Sequence, residues 1–338
     1  MTKRVSIKDI AEVVGVSHST VSRALHGRGR MSDETRRQIL ETAKELGYTP
    51  DARARSLVQG TTRTVGVVVT SIADPFVIDI VAGIEDVTQK AGYSVFLSAS
   101  HKDPVREMAV VETFRERRVD AVIVTASRVG NLYADLLEDF GAPIVLINNM
   151  QEGRYLHSVS ADDVAGAQMA VESLLAWGHR RIGFIGSGER SVSSQRRWRG
   201  YCQAFLARGL EPPTGLKTTP EVETDLEAGR RGLTALLPHG PTAIFAYNDL
   251  TAIGVMLAAR ELRLAIPEQL SLVGFDDIQA AQFVTPPLTT VRQPRKAMGR
   301  AAMEMALALL QDEEPRNILF PCHLVQRESV AAPAGTEA

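Results

Sequence analysis

Three stretches of this 338-residue chain combine residue types and spacings that can do chemistry. The first is VSHSTVSR, residues 16–23, where Ser17, His18, Ser19, Thr20 and Ser22 crowd together and Arg23 follows. Short hydroxyls approach phosphate oxygens closely, and a guanidinium can hold O6 and N7 of guanine with two hydrogen bonds. On a helix, His18, Ser19 and Arg23 would reach base edges, with Thr20 and Ser22 on phosphates. The second is a set of residues that each follow an apolar run: Ser71, Asp74 and Phe76, Thr125, Asn148, Arg197, Asn248 and Asp276. Carboxylates accept hydroxyl protons, and Arg and Asn add donors, which is the complement of a polyhydroxylated ligand. The third is PDARARSLVQGTTRT, residues 50–64, a short basic stretch around Arg53 and Arg55.

Other chemistries lack their residues. No G-x-G-x-x-G loop follows the first apolar run and no P-loop occurs. Cys202 and Cys322 stand far apart and outside any C-x-x-C pair, against a metal site or a disulfide framework. Asp276 and Asp277 are adjacent, so their side chains diverge and make a poor glycosidase pair. No nucleophile–base arrangement is visible. The expectation is a binding protein without cofactor or metal, not an enzyme.

The elements that would hold the first stretch are short helices. Ser6 can cap one whose face carries Ile7, Ile10, Ala11 and Val14, with Gly15 ending it. Ser17 caps a second, with Val16 and Val21 placed as a hydrophobic staple and Val21 and Leu25 facing inward. Ser32 caps a third, Asp33 and Glu34 suit its first turn, and Ile39, Leu40, Ala43 and Leu46 form its expected buried stripe. Gly47 and Pro50 stop it. The pattern is a helix-turn-helix with a supporting helix.

From Thr64 the rhythm changes. TVGVVVT, YSVFLS, AVIVT and PIVLIN read as strands of a parallel α/β half, with a helix over 77–91. The rhythm restarts at RIGFIG, TAIFAY and LSLVGF, which gives two doubly wound halves with their polar residues at the strand ends. LTTVRQP and a helix over 295–311 read as a crossover back to the first half.

The length exceeds what one core serves, and 44% hydrophobic with 23% charged residues is ordinary for a globular protein. The net charge of −2 conceals a basic head: residues 1–60 hold 11 Lys and Arg against 7 Asp and Glu, and the rest hold 27 against 33. A basic head suits a polyanion. No run approaches the roughly 20 apolar residues of a membrane span. MTKRVSIKDI carries charges where an export signal would carry its apolar core, so a cytoplasmic location is expected.

Residues 5–57 resemble the DNA-binding head of the LacI/GalR family of bacterial transcription regulators, through SIKDIA, GVSHSTVSR, SDETR and ELGYTP. The resemblance extends to about Ser329 through DPF, GHRRIGFIG, RWRGY, PTAIFAYNDLTAIG, VGFDDI and PPLTTVRQP. It implies that His26 contacts DNA, although many members carry Asn there, and that Asp51 places an unusual charge at the linker start. It implies a hinge helix that folds on the operator, with Leu57 entering the minor groove and Ala54 and Ser56 beside it. It implies ligand contacts at Arg197, Asn248 and Asp276, with Asn148 and Phe76 in the pocket.

The expected architecture is an all-α helix-turn-helix head joined by a hinge helix to an α/β two-lobed, periplasmic-binding-protein-like domain of parallel doubly wound sheets. The head spans 1–50, the hinge and linker 51–63, and the effector domain 64–330, with a tail at 331–338. Lobe 1 takes about 64–160 plus 293–320, and lobe 2 about 161–290 plus 321–330. The expected function is a repressor on a pseudo-palindromic operator. It would act as a homodimer away from membranes, controlled by a small carbohydrate. The tail AAPAGTEA is too short for a tetramerising heptad helix. Two alternatives stay open: a corepressor such as a purine, and a carbohydrate-processing enzyme with a DNA-binding head.

Overall fold

The computed structural model describes residues 5–25, 27, 29–49, 60–101, 103–125, 141–149, 157–188 and 192–334. His26, Ala54, Ser56 and Leu57, and with them the expected hinge helix, lie outside the described residues. The chain divides into two compact units, Met1–Thr62 and Arg63–Ala338.

The first unit contains α1 (Ile7–Val14), α2 (His18–Leu25) and α3 (Asp33–Glu45). Their ends are closed locally. Asp9 accepts from the amide and the hydroxyl of Ser6 at 2.7 Å each, and Gly15 takes φ 72 to end α1. The Ser17 and Ser32 hydroxyls accept from the amides of Thr20 (3.2 Å) and Thr35 (3.1 Å). The bonds to backbone amides satisfy groups that a helix terminus leaves without an intrahelical partner. Ile10, Val21 and Ile39 are fully buried, with Ala24 and Ala43 beside them.

Two residues expected in the α3 stripe are not in it: Leu40 is 47% exposed and Leu46 37%. Ile39, Thr42 and Ala43 form the buried stripe. Leu40 sits roughly 100° around the helix from Ile39, and Leu46 falls past the last helical residue. On α2, Leu25 is half-buried and the smaller Ala24 enters the core.

The second unit has two lobes. The first holds β1 (Thr64–Val69), α4 (Pro75–Ala91), β2 (Ser94–Ala99), α5 (Pro104–Glu116), β3 (Ala121–Thr125), β4 (Ile144–Ile147) and β5 (His157–Ala161). The second holds α6 (Asp163–Ala176), β6 (Ile182–Ile185), α7 (Val192–Leu206), β7 (Lys217–Thr218), α8 (Asp225–Leu236), β8 (Ala243–Ala246), α9 (Asp249–Glu261), β9 (Ser271–Asp276) and β10 (Thr289–Arg292). The chain then returns to the first lobe as α10 (Arg295–Leu309) and β11 (Ile318–Phe320), and ends in the second with β12 (His323–Val325).

One sheet runs β11-β5-β4-β3-β1-β2 and the other β12-β10-β9-β8-β6-β7. Their pairs are parallel except β10 with β12. The strand order therefore reverses between β1 and β3 and again between β6 and β8. Crevices for ligands open at such points, beyond the carboxyl ends of the strands.

Three readings of the sequence change in detail. Part of LTTVRQP is strand β10, so the crossing itself is Gln293–Pro294. The helix expected over 77–91 starts at Pro75, because the Asp74 carboxylate caps it through the Phe76 amide at 3.0 Å. YSVFLS gives an edge strand, β2, paired among the described residues with β1 alone, and Phe96 and Leu97 remain 43% and 40% exposed.

Helix pairs α4–α10 and α8–α9 approach through glycine. A Cβ on Gly299 would lie 2.1 Å from the Ile80 carbonyl oxygen, and one on Gly254 2.0 Å from that of Leu226. Backbone cannot swing aside as a side chain can. Gly299→Ala and Gly254→Ala should each destabilise the protein by about 1–3 kcal/mol, the usual cost of overpacking. Urea unfolding checks this: the midpoint should fall while its slope stays constant. An unchanged midpoint in both variants would refute the contacts.

Candidate functional site

On the head, Ser17, His18, Ser19 and Arg23 are exposed, and Thr20 and Ser22 half-buried. The hydroxyls cluster where α2 begins: Ser17 Oγ lies 2.8 Å from both Ser19 Oγ and Thr20 Oγ1. Arg23 Nε donates to the Ser19 carbonyl at 3.2 Å, so the guanidinium lies along the same helix. One face of α2 packs Val21 and Ala24 inward while the other presents His18, Ser19 and Arg23 together.

In the second unit the strand ends of both lobes converge on a buried chain of hydrogen bonds and ion pairs. Asn148, at φ 57 just beyond β4, donates from Nδ2 to Gln293 Oε1 at 3.2 Å. Gln293 donates in turn from Nε2 to Asp276 Oδ1 at 2.7 Å. That oxygen lies 3.6 Å from an Arg197 terminal nitrogen. Arg197 donates from Nε to Asp163 Oδ1 at 2.8 Å and from a terminal nitrogen to the Tyr247 carbonyl at 2.6 Å. Its guanidinium carbon sits 3.7 Å from the centroid of Phe275 and 4.6 Å from that of Tyr247, where ring faces attract a cation. Behind Phe275, Phe245, Phe184, Trp198 and Tyr201 continue the support as an aromatic column.

Burial pushes the Asp276 carboxyl up to about 7, against the pull of Arg197 and Arg295, and nearby Asp74 adds to the rise. Asp277 is held below the usual carboxylate range: burial would raise it, but Arg327 and Arg292 outweigh that. They lie 2.5 Å and 2.6 Å from its two oxygens. The adjacent carboxylates thus serve different partners, as their spacing implied. Arg197 would lose its charge more easily through burial, but Asp163 and Asp276 raise it above the ordinary value.

The other expected residues are engaged locally. Asn248 caps α9 through the Thr251 amide (2.8 Å) and donates to Asp225 Oδ2 (2.9 Å). Asp225, with His101, Ser187, Glu221 and Glu223, lines a cavity of about 380 Å³ between the lobes. Ser71 Oγ accepts from the Ala73 amide at 3.2 Å, and Thr125 Oγ1 donates to the Val68 carbonyl at 3.3 Å. Half-buried Phe76 lies 5.9 Å from the Arg295 guanidinium. Sequence reasoning missed Gln293, Asp163, Asp225 and Arg295. Asp163 carried one usable signal, a carboxylate at the start of a helix whose buried face is otherwise apolar.

A helix-turn-helix unit and a two-lobed α/β unit with a polar cleft define a DNA-binding regulator that carries a small-molecule site. Residues 6–51 match the model of bacterial regulatory proteins of the lacI family, and 171–330 that of a periplasmic binding protein-like domain. The HTH-type transcriptional regulator GalR of Escherichia coli (strain K12) is 34% identical over 335 residues, 97% of this chain and 96% of that protein. The lac repressor dimer bound to operator and the anti-inducer ONPF superposes with TM-score 0.86 at 27% identity, over 98% of this chain and 100% of that one. A complex of the transcriptional regulator CelR with cellobiose gives TM-score 0.73 at 27% identity, over 96% and 100%. This chain belongs to the lacI family of bacterial regulatory proteins.

The raised Asp276 has a consequence for stability. A carboxyl with a raised pKa in the folded state favours folding while protonated, and that favour is lost as pH rises from about 4 to about 7. Relative to Asp276→Asn, the wild type should therefore lose stability between pH 5 and pH 8, by about 2–3 kcal/mol. Urea midpoints at the two pH values test the sign, and a constant difference would place the titration elsewhere.

Proposed function

We propose that this chain is a cytoplasmic, homodimeric repressor whose grip on a pseudo-palindromic operator is set by an uncharged sugar held between its lobes. The observation that carries this reading is the buried chain Asn148–Gln293–Asp276–Arg197, which joins both lobes at the carboxyl ends of their strands. Hydroxyls of a sugar can replace or extend each of its links. Among the described cations at the cleft, Arg197 and Arg295 are already engaged by carboxylates and carbonyls, which disfavours a phosphate or an acid. Asp276 and Arg197 are assigned direct contacts, Asn148 and Phe76 the opposite wall, and Asp74, Ser71, Thr125 and Asn248 the rim. No catalytic role is assigned to any residue.

The head, 1–50, is assigned the major groove through Ser17, His18, Ser19, Thr20, Ser22, Arg23 and His26. The linker, 51–63, is assigned the minor groove through Leu57, with Ala54 and Ser56. The effector domain is assigned 64–330, and the edge strand β2, with exposed Phe96 and Leu97, is a surface suited to dimer contact. A ligand changes operator affinity only by its differential affinity for two lobe geometries.

Two experiments test the assignments. Arg23→Ala should weaken binding by about 1–3 kcal/mol and relax the preference at one base pair per half-site. Binding to a selected operator and its single-base variants reads this, and an unchanged ranking of variants would make Arg23 a phosphate contact. In a thermal-shift screen of neutral sugars, a ligand at roughly 100 times its dissociation constant should add about 2.7 kcal/mol of stability. That gain should vanish in Asp276→Ala while operator affinity persists, and a gain that survives would remove Asp276 from the pocket.

A further inference from the structure

Arg295 is the first residue of α10, and α10 packs on α4, β3, β4 and β5 of the first lobe. Its side chain, only 9% exposed, reaches the second lobe. Nε and one terminal nitrogen hold Asp79 Oδ2 on α4, at 3.0 Å and 2.6 Å. That nitrogen also donates to the Asp277 carbonyl at 3.0 Å, and the other terminal nitrogen donates to the Asp276 carbonyl. Those two carbonyls belong to a turn in the left-handed region, with φ 111 at Asp276 and φ 55 at Asp277. Non-glycine residues hold such angles only where their surroundings over-determine them. A planar guanidinium can grip a carboxylate and two carbonyls at once, and an ammonium on a flexible stem cannot hold that fixed pattern.

We propose that Arg295, fixed by Asp79, is a positioning residue: it holds the turn that presents the Asp276 carboxyl and links that turn to α4 of the first lobe. The functional half of this inference rests on the reading of Asp276 as a ligand group. The structural half does not, and it can be tested without a ligand.

Two amides report on the turn. Asp277 N donates to Thr290 Oγ1 at 3.4 Å, and Ile278 N to Asp249 Oδ2 at 2.8 Å. Asp79 touches neither and belongs to the other lobe. A control lies on the same pair of helices: Asp86 bridges α4 to Lys296 (3.1 Å) and Arg300 (2.6 Å). Hydrogen exchange of the full chain is then compared for wild type, Asp79→Asn, Asp86→Asn and Arg295→Lys.

The expected result is exchange about tenfold faster at 277–278 in Asp79→Asn and in Arg295→Lys, with buried amides of β8 unchanged. Asp86→Asn should leave 277–278 as in wild type. Equal effects of Asp79→Asn and Asp86→Asn would reduce the contact to ordinary helix pairing and overturn the proposal. So would an unchanged turn in Asp79→Asn. If the turn loosens as expected but Asp276→Ala keeps its response to sugars, the positioning role stands and the ligand assignment alone falls.

Discussion

The buried contact between Arg197 and two acidic side chains, Asp163 and Asp276, is the constraint from which the cleft follows. All three are nearly excluded from solvent. A buried charge is tolerated only when it is paired and its remaining hydrogen-bonding groups are filled, and removing one partner leaves the others uncompensated. Arg197 is therefore enclosed on every side, by carboxylates, by the Tyr247 carbonyl and by the faces of Phe275 and Tyr247. The aromatic column behind it fills the space between β6, β8 and α7 and leaves the guanidinium one place to sit. Burial, helped by nearby Asp74, raises the Asp276 carboxyl even though Arg197 and Arg295 pull it down.

A two-lobed binding protein needs lobes that can move and a site that senses both. Gln293 meets the second need by chemistry. Its amide donates to Asp276 on one side and accepts from Asn148 on the other, so one uncharged side chain joins a carboxylate to an amide without adding a buried charge. It sits on one of the chain crossings between the lobes, from β10 to α10, a covalent link whose geometry must change if the lobes rotate. Nearby, Asp277 is held within the second lobe by Arg292 and Arg327, so the turn has a rigid side and a side that looks toward the first lobe.

The head obeys a different economy. Its core has few large residues, Ile10, Val21 and Ile39, and its helices are fixed as much by their ends as by their packing. Such a unit spends little apolar surface on itself and keeps the outer face of α2 for short polar groups.

The sequence by itself determined the elements. The period of apolar residues, the caps at Ser6, Ser17, Ser32 and Asp74 and the alternation of strand with helix are local properties, carried within a few residues. So were α2 as the outward-facing helix, and Asp276 and Asn148 as strand-end groups, whereas Arg197 lies within α7. Only the tertiary structure decided which strand-end groups meet. Gln293 and Asp163 look like a linker amide and a helix start, and become cleft residues because β10 runs beside β9 and α6 packs on α7. Asn248 also caps α9 and donates to Asp225, a partner that only the tertiary structure supplies. Leu40 was expected in the buried stripe of α3 and is exposed. A stripe read from sequence has a width but no direction, and only packing against Ile10 and Val21 picks the face that faces in.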